Sequence, residues 1–349
     1  MALMHASSPH TAQPQTSANI MQLVLAAMVP GIVALVAYFG VGVLFNLALC
    51  GLTALASEAL MLKLRGRPIG FYLRDYSALV TAALLAVALP PYCPWWIPVV
   101  GTATAIILAK QLYGGLGFNP FNPAMVGYVV LLISFPVEMT LWVAPATVEH
   151  GLPDIEEAFS LVFGNYQVDG FTMATPLEIV RHNNSIIMSQ LYNEEPVLAK
   201  GSIAGAGWEM VNLAFLVGGL YLLYRKVFTW HAPVGMLAAL FLLSTVFYDS
   251  GSSLSEGSPL LHLFSGATML GAFFIITDPV SSATSTRGRL YFGIGVGILV
   301  FVIRVWGSYP DAVAFAVLLM NFAAPLIDNY TLPRTYGHAA PRRATEKED

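Results

Sequence analysis

The chain has 349 residues, of which 56% are hydrophobic and 10% charged, and its formal net charge is -4. An ordinary soluble domain is about 25% charged, so this balance excludes a water-soluble fold. The sixteen Lys and Arg form no stripe that could follow phosphates, which excludes nucleic acid as a partner.

The first seventeen residues are polar and lack the positive region that opens a secretory signal, so the first apolar run reads as a retained helix. Ten apolar segments follow in chain order: 20–39, 41–62, 76–90, 95–112, 124–143, 208–224, 231–248, 259–276, 288–306 and 311–328. A helix needs roughly 20 apolar residues to cross hydrocarbon, because its backbone polar groups must be satisfied internally. The third segment is short and ends in Pro90-Pro91, which predicts a broken or tilted helix. The two cysteines, Cys50 and Cys93, are too few to ligate an iron–sulfur cluster and read as structural.

The basic residues orient the segments, because short cytoplasmic loops retain Lys and Arg. With the N-terminus inside and ten crossings, Lys63, Arg65, Arg67, Arg74, Lys110, Arg225, Lys226, Arg287 and Arg289 fall in inside loops. Arg334, Arg342, Arg343 and Lys347 fall in an inside C-terminal tail, which places thirteen of the sixteen basic residues on one side. Losing any one helix would scramble this bias. The expected class is therefore an all-α integral membrane protein of about ten transmembrane helices, with both termini cytoplasmic.

Ten helices divide into two sets of five that run oppositely, as in inverted repeats that build a site from broken helices near the midplane. Phe118-Asn119-Pro120-Phe121-Asn122-Pro123 interrupts the first half and Thr277-Asp278-Pro279 the second. The expected organisation is an N-terminal tail (1–19), a first half (20–145), a periplasmic loop (146–205), a second half (206–330) and a C-terminal tail (331–349). Asn119, Asn122 and Asp278 are the candidates for an ion path or a second cofactor pocket. Among intramembrane ionisable groups, Glu58 reads as an interfacial or paired acid, and Arg304 as a partner for Asp249 or Asp311. Asn46, Asn212 and Asn321 read as interhelical hydrogen-bond donors.

The loop at 146–205 is acid-rich and holds Asp169-Gly170-Phe171-Thr172-Met173-Ala174-Thr175-Pro176. Asp-Gly reads as a turn, and the proline holds Thr175 extended, which predicts a hydroxyl presented on an exposed bend. Ser265-Gly266-Ala267-Thr268 has a similar ending, but it lies inside the eighth apolar segment and reads as a packing site for close helices.

Asp-Gly-x-Thr-x-Ala-Thr resembles the acceptor motif of the bacterial flavin transferase. Together with Asn-Pro-Phe-Asn-Pro-Ala at 119–124 and Gly-Ala-Phe-Phe-Ile-Ile-Thr-Asp-Pro-Val-Ser at 271–281, it is similar to the D subunits of Rnf (Rsx) electron transport complexes. The related B subunits of sodium-pumping NADH:quinone reductases share these signatures. The resemblance implies FMN joined to Thr175 as a phosphoester, with Asp169, Gly170, Thr172 and Ala174 read by the transferase. Met173 stands where many acceptor motifs have Gly. The resemblance further implies a bacterial inner-membrane location and electron relay between ferredoxin and NAD coupled to sodium or proton transport. Its expected partners are the other membrane and peripheral subunits of such a complex, the flavin transferase during maturation, and the lipid bilayer. It leaves room for a second, noncovalent flavin such as riboflavin, and it assigns no catalytic acid–base group and no metal ligand. The competing readings are a stand-alone channel or carrier with an inverted repeat, in which 165–177 is merely a turn, and a scaffold for other redox subunits.

Overall fold

The computed structural model describes residues 16–148, 152–164, 170–183, 185–252, 255–307, 309 and 312–331. Among these residues the chain is helical, and its extended pairing is limited to one isolated antiparallel bridge, Val143 with Thr172. Four helices are long and apolar enough to cross a membrane: α1 (Ser17–Phe39), α2 (Gly42–Leu64), α16 (Thr286–Trp306) and α17 (Val313–Thr331). Shorter apolar helices accompany them: α4 (Ser77–Ala88), α5 (Trp96–Thr104), α6 (Pro123–Ser134), α12 (Trp208–Tyr224) and α13 (His231–Val246). Leu44, Leu52 and Leu60 project outward from α2, as do Leu319, Phe322 and Leu326 from α17. Such continuous apolar stripes suit contact with hydrocarbon, not water.

Two of the expected segments depart from a long continuous helix for visible reasons. The third is a single short helix, α4, with a separate short helix, α3 (Ile69–Leu73), ahead of it, and Tyr76 at the start of α4 has a left-handed backbone, φ 61°. Asp75 secures this break by accepting from the Ser77 amide at 2.8 Å and hydroxyl at 2.6 Å. The eighth expected helix, 259–276, is not continuous. It comprises α14 (Pro259–Phe264), α15 (Thr268–Leu270) and a π-helical turn (Gly271–Ile275), with Gly266 at φ 59° in the gap. Asn212 of α12 holds this gap open. Its Nδ2 donates to the carbonyls of Phe264 at 2.9 Å and Gly266 at 3.0 Å, and its Oδ1 accepts from the Met269 amide at 3.1 Å.

Small residues set the helix crossings, as the absence of a hydrophobic drive between helices in lipid requires. The α1–α12 crossing leaves no room for a side chain at Gly218, whose added Cβ would strike the Ala27 carbonyl oxygen, or at Gly31, where the Phe215 ring lies. The α13–α16 crossing is similarly close at Gly293 and Gly297, which face the carbonyls of Ala232 and Met236. α5 continues as a second π-helical stretch (Ala105–Gln111). Lys110, expected in an inside loop, instead lies within that stretch and is 2% exposed.

The connection between α6 and α12 carries the short helices α7 (Pro136–Thr140), α8 (Ile155–Phe163), α9 (Pro176–His182), α10 (Met188–Glu194) and α11 (Pro196–Ala199). Buried side chains from α9, α10 and α11 form a small apolar cluster of their own with Leu261 of α14. The long loop is thus folded back onto the helical bundle.

Candidate functional site

Thr175 is fixed by its neighbours on both sides. Upstream, Phe171–Met173 pairs with Trp142–Ala144: the Ala144 amide donates to the Phe171 carbonyl, and the Met173 amide to the Trp142 carbonyl, each at 2.9 Å. Downstream, Thr175 is the N-cap of α9, extended at φ -71° and ψ 155° as the following proline requires. Glu178 completes a capping box. Its carboxylate accepts from the Thr175 amide at 2.9 Å and from the hydroxyl at 3.2 Å, and its own amide donates to Thr175 Oγ1 at 3.4 Å. The Thr-Pro-Leu-Glu spacing carries this box in plain sight, yet the reading of the motif as a free bend overlooked it.

The expected exposed bend is therefore corrected. Thr175 is half-buried and lines a cavity of about 1030 Å³, measured with its open mouth, together with Trp142, Trp208, Tyr128, Phe215 and Ala267. Capping the helix engages the hydroxyl with Glu178, whereas Gly170 and Ala174 remain exposed. Thr172 is part of the bridge to Val143, and Asp169 lies outside the described residues. The indoles of Trp142 and Trp208 stand 4.8 Å apart by ring centroids, and the Phe39 ring meets both edge-on at 6.0 and 4.9 Å.

A second cavity, of about 1250 Å³ measured the same way, is lined by Asn119, Asn122, Asp278, Lys110, Ser77 and Arg289 among others. The structure thus brings together the three candidates Asn119, Asn122 and Asp278. The two cavities occupy opposite ends of the same helices: α4 gives Ser77 and Thr81 to the second but Val87 to the first, and α12 gives Leu222 to the second but Val211 to the first. The π-helical turn at Gly271–Ile275 stands between them, with Ile275 facing the first and Phe273 and Phe274 the second.

The Asn-Pro run acts as a junction between the halves. Asn122 caps α6, accepting from the Ala124 amide at 3.1 Å, and its own amide donates to Asn321 Oδ1 at 3.1 Å. Asn321 Nδ2 in turn donates to the Ser281 carbonyl at 2.9 Å. Asn46 donates to the Pro90 carbonyl at 2.9 Å, so Asn46, Asn212 and Asn321 each join one element to another. Asn119 Nδ2 closes its own turn on the Phe121 carbonyl at 2.9 Å, and Asp278 accepts from the Ser281 hydroxyl at 2.7 Å.

Glu58 is a buried ion-pair partner. Lys110 Nζ lies 2.7 Å from its carboxylate and 2.7 Å from Ser77 Oγ, and Gln111 donates to the same carboxylate oxygen at 2.8 Å. Sequence reading missed Lys110 because a lysine beside the end of an apolar run looks interfacial, and a π-turn that draws it inward has no simple sequence mark. Arg304, whose expected partner is Asp249 or Asp311, donates from its guanidinium to the His262 carbonyl at 2.8 Å and to Thr268 Oγ1 at 2.9 Å. Asp249 is exposed, and Asp311 lies outside the described residues. Thr268 is fully buried, and its hydroxyl donates to backbone carbonyls at the helix gap. The helix expected there is broken, but the hydroxyl is no more accessible for that.

Comparison with known proteins places this geometry in a family. The family model described as NQR2, RnfD, RnfE matches residues 4–337. A protein of Cellvibrio japonicus (strain Ueda107), named as the D subunit of an ion-translocating oxidoreductase complex, is 58% identical over 349 residues, covering 99% of this chain and 98% of that one. Proteins of the same name from Ectopseudomonas mendocina (strain ymp) and Pseudomonas aeruginosa (strain UCBPP-PA14) are 59% and 57% identical. The first alignment covers 98% of each chain and the second 100% of each. With a match that runs almost end to end, the chain belongs to the NQR2, RnfD, RnfE family.

Proposed function

We propose that the chain is a membrane subunit of a redox-driven, ion-translocating oxidoreductase complex and carries FMN as a phosphoester on Thr175. The observation that carries this reading is the position of Thr175 Oγ1 at the end of Asp-Gly-x-Thr-x-Ala-Thr, on the wall of a cavity faced by two tryptophans. The cavity suits the group. Its lining is largely apolar and aromatic with few polar groups, the kind of wall that small-molecule cofactor sites present. FMN supplies exchange of one or two electrons when bound, and the protein contributes position and surroundings. Thr175 fixes the tether, and the Val143–Thr172 bridge fixes the direction from which it enters.

The names of the relatives support the coarser part of this reading, a subunit of a multi-subunit oxidoreductase that moves ions. In that reading the partners are the other membrane and peripheral subunits, with a flavin transferase acting during maturation, and the coupled ion is sodium or a proton. The topology that fits is ten crossings in a bacterial inner membrane, with both termini cytoplasmic and the 146–205 loop periplasmic. The two halves, 20–145 and 206–330, then form an inverted repeat. A second reading concerns the opposite cavity, where Asn119, Asn122 and Asp278 converge, as a place for a noncovalent flavin such as riboflavin or for an ion path.

The test is a denaturing gel viewed for flavin fluorescence, with the chain made alongside the transferase. A fluorescent wild-type band that goes dark in Thr175→Ala is the expected result. A dark wild-type band refutes the covalent reading, and a fluorescent alanine variant moves the attachment elsewhere.

A further inference from the structure

Resting on the reading of Thr175 as the tether, we propose that Trp142 and Trp208 are the positioning residues of the flavin ring, which they hold against their indole faces inside the first cavity. Both side chains line the same cavity as Thr175. The two differ in how they are fixed, and the difference suits a clamp. Trp208 is 7% exposed at the first position of α12, immediately after Gly207, whose φ of 77° only glycine adopts freely. Trp142 is half-buried and rides on the acceptor strand itself, because its carbonyl takes the Met173 amide at 2.9 Å. Whatever is attached at Thr175, two residues beyond Met173, is thereby registered to Trp142 by backbone pairing.

The geometry of the pair carries the argument further. The two rings are tilted by 57° at 4.8 Å, and the Phe39 ring makes a T-shaped contact with each. Aromatic contacts of this kind favour offset and edge-to-face arrangements and so fix ring orientation. A planar, electron-poor isoalloxazine is the complement of an electron-rich indole wall. Among the described residues, no other pair of tryptophans stands within ring-contact distance. Asn212, the cavity's central amide, is already engaged with the carbonyls of Phe264 and Gly266, so stacking and not amide recognition is what the wall offers.

Stacking on indole has a consequence that a merely structural tryptophan lacks. An excited flavin in contact with indole takes one electron from it and gives it back, so its emission is quenched on the picosecond scale. The experiment is time-resolved flavin fluorescence of the full chain, flavin-loaded and in nanodiscs, for wild type, Trp142→Phe, Trp208→Phe and the tyrosine variants. Wild type is expected to decay mainly through the fast component. Each phenylalanine variant is expected to lengthen the mean lifetime several-fold at unchanged flavin content on the gel, with tyrosine restoring part of the quenching. Residual quenching from Tyr128 and Tyr309, which also line the cavity, sets the floor for that change. A wild-type decay without a fast component overturns the proposal, as does an unchanged decay in Trp142→Phe. Trp142→Phe is decisive on its own if the more buried Trp208 variant does not fold. A wild-type chain with no attached flavin sinks the underlying Thr175 reading, and that failure is visible on the gel before any lifetime is taken.

Discussion

At the scale of single residues, the buried group with the largest energetic consequence is the ion pair Glu58–Lys110, each side chain 2% exposed. Two charges taken out of water depend on one another, and removing one partner leaves the other unsatisfied. Lys110→Met is therefore expected to destabilise the chain by about 3–5 kcal/mol, whereas Glu58→Gln combined with Lys110→Met recovers most of the loss. Thermal unfolding in detergent, read as a double-mutant cycle, checks this. Additive losses would show that the two charges are independently solvated. The sequence marked Glu58 as an acid needing a partner, because an ionisable group in an apolar run always does. It did not mark Lys110, because choosing that partner depends on a π-turn that advances the helix face by a fraction of a turn. Thr175 was legible for a different reason: its identity sits in a compact motif. The direction of its hydroxyl follows from Glu178, three residues on, which caps the same helix start.

At the scale of elements, breaks matter more than helices. Asn212 satisfies two carbonyls and one amide at the gap between α14 and α15. Asn212→Ala leaves those groups unpaired in a buried setting, a loss of about 1–3 kcal/mol for each group that finds no new partner. The expected outcome is a lower unfolding midpoint together with reduced flavin retention, since Gly266 and Ala267 line the first cavity. A midpoint equal to wild type would mean that water fills the role. The apolar segments were readable as helices because nothing else can satisfy a backbone in hydrocarbon. The gap at 265–267 was not readable, because Ser-Gly-Ala is equally at home in a close helix crossing. The amide that props it open comes from 53 residues upstream of Ser265.

At the scale of the whole molecule, the bundle is closed by small residues where helices cross. Gly218→Ala would drive a methyl group into the Ala27 carbonyl, a backbone atom that cannot swing aside. Overpacking of this kind typically costs about 1–3 kcal/mol, so the variant is expected to unfold at lower temperature while Gly51→Ala, where added atoms meet only ordinary contact, is neutral. A Gly218→Ala chain as stable as wild type would show that α1 and α12 slide freely. The proposed orientation is testable at the same scale. Ala174 is exposed, so Ala174→Cys should react with a membrane-impermeant maleimide from the periplasmic side, and labelling only after the membrane is opened would reverse the topology. Charge bias in the loops is the source of that proposal, since it depends on composition alone. The location of the two cavities was not legible, because each is assembled from helices that lie far apart in the chain.

The bridge between Val143 and Thr172 sets a timetable for the protein's manufacture. A modifying enzyme must wrap the acceptor peptide in its own cleft, and it cannot do so while the Met173 amide and the Phe171 carbonyl of that peptide are paired with Trp142 and Ala144 and the target oxygen is engaged by Glu178. If Thr175 is the acceptor, the ester has to be made while this corner is still open, and later closure seats the pigment and locks the door in one movement. Finished but unloaded protein should consequently be a poor substrate for the transferase, and loosening of the 171–173 strand from its partner side, for instance by Ala144→Pro, which removes the amide that holds the Phe171 carbonyl, should make it a better one even as the seated flavin becomes less secure.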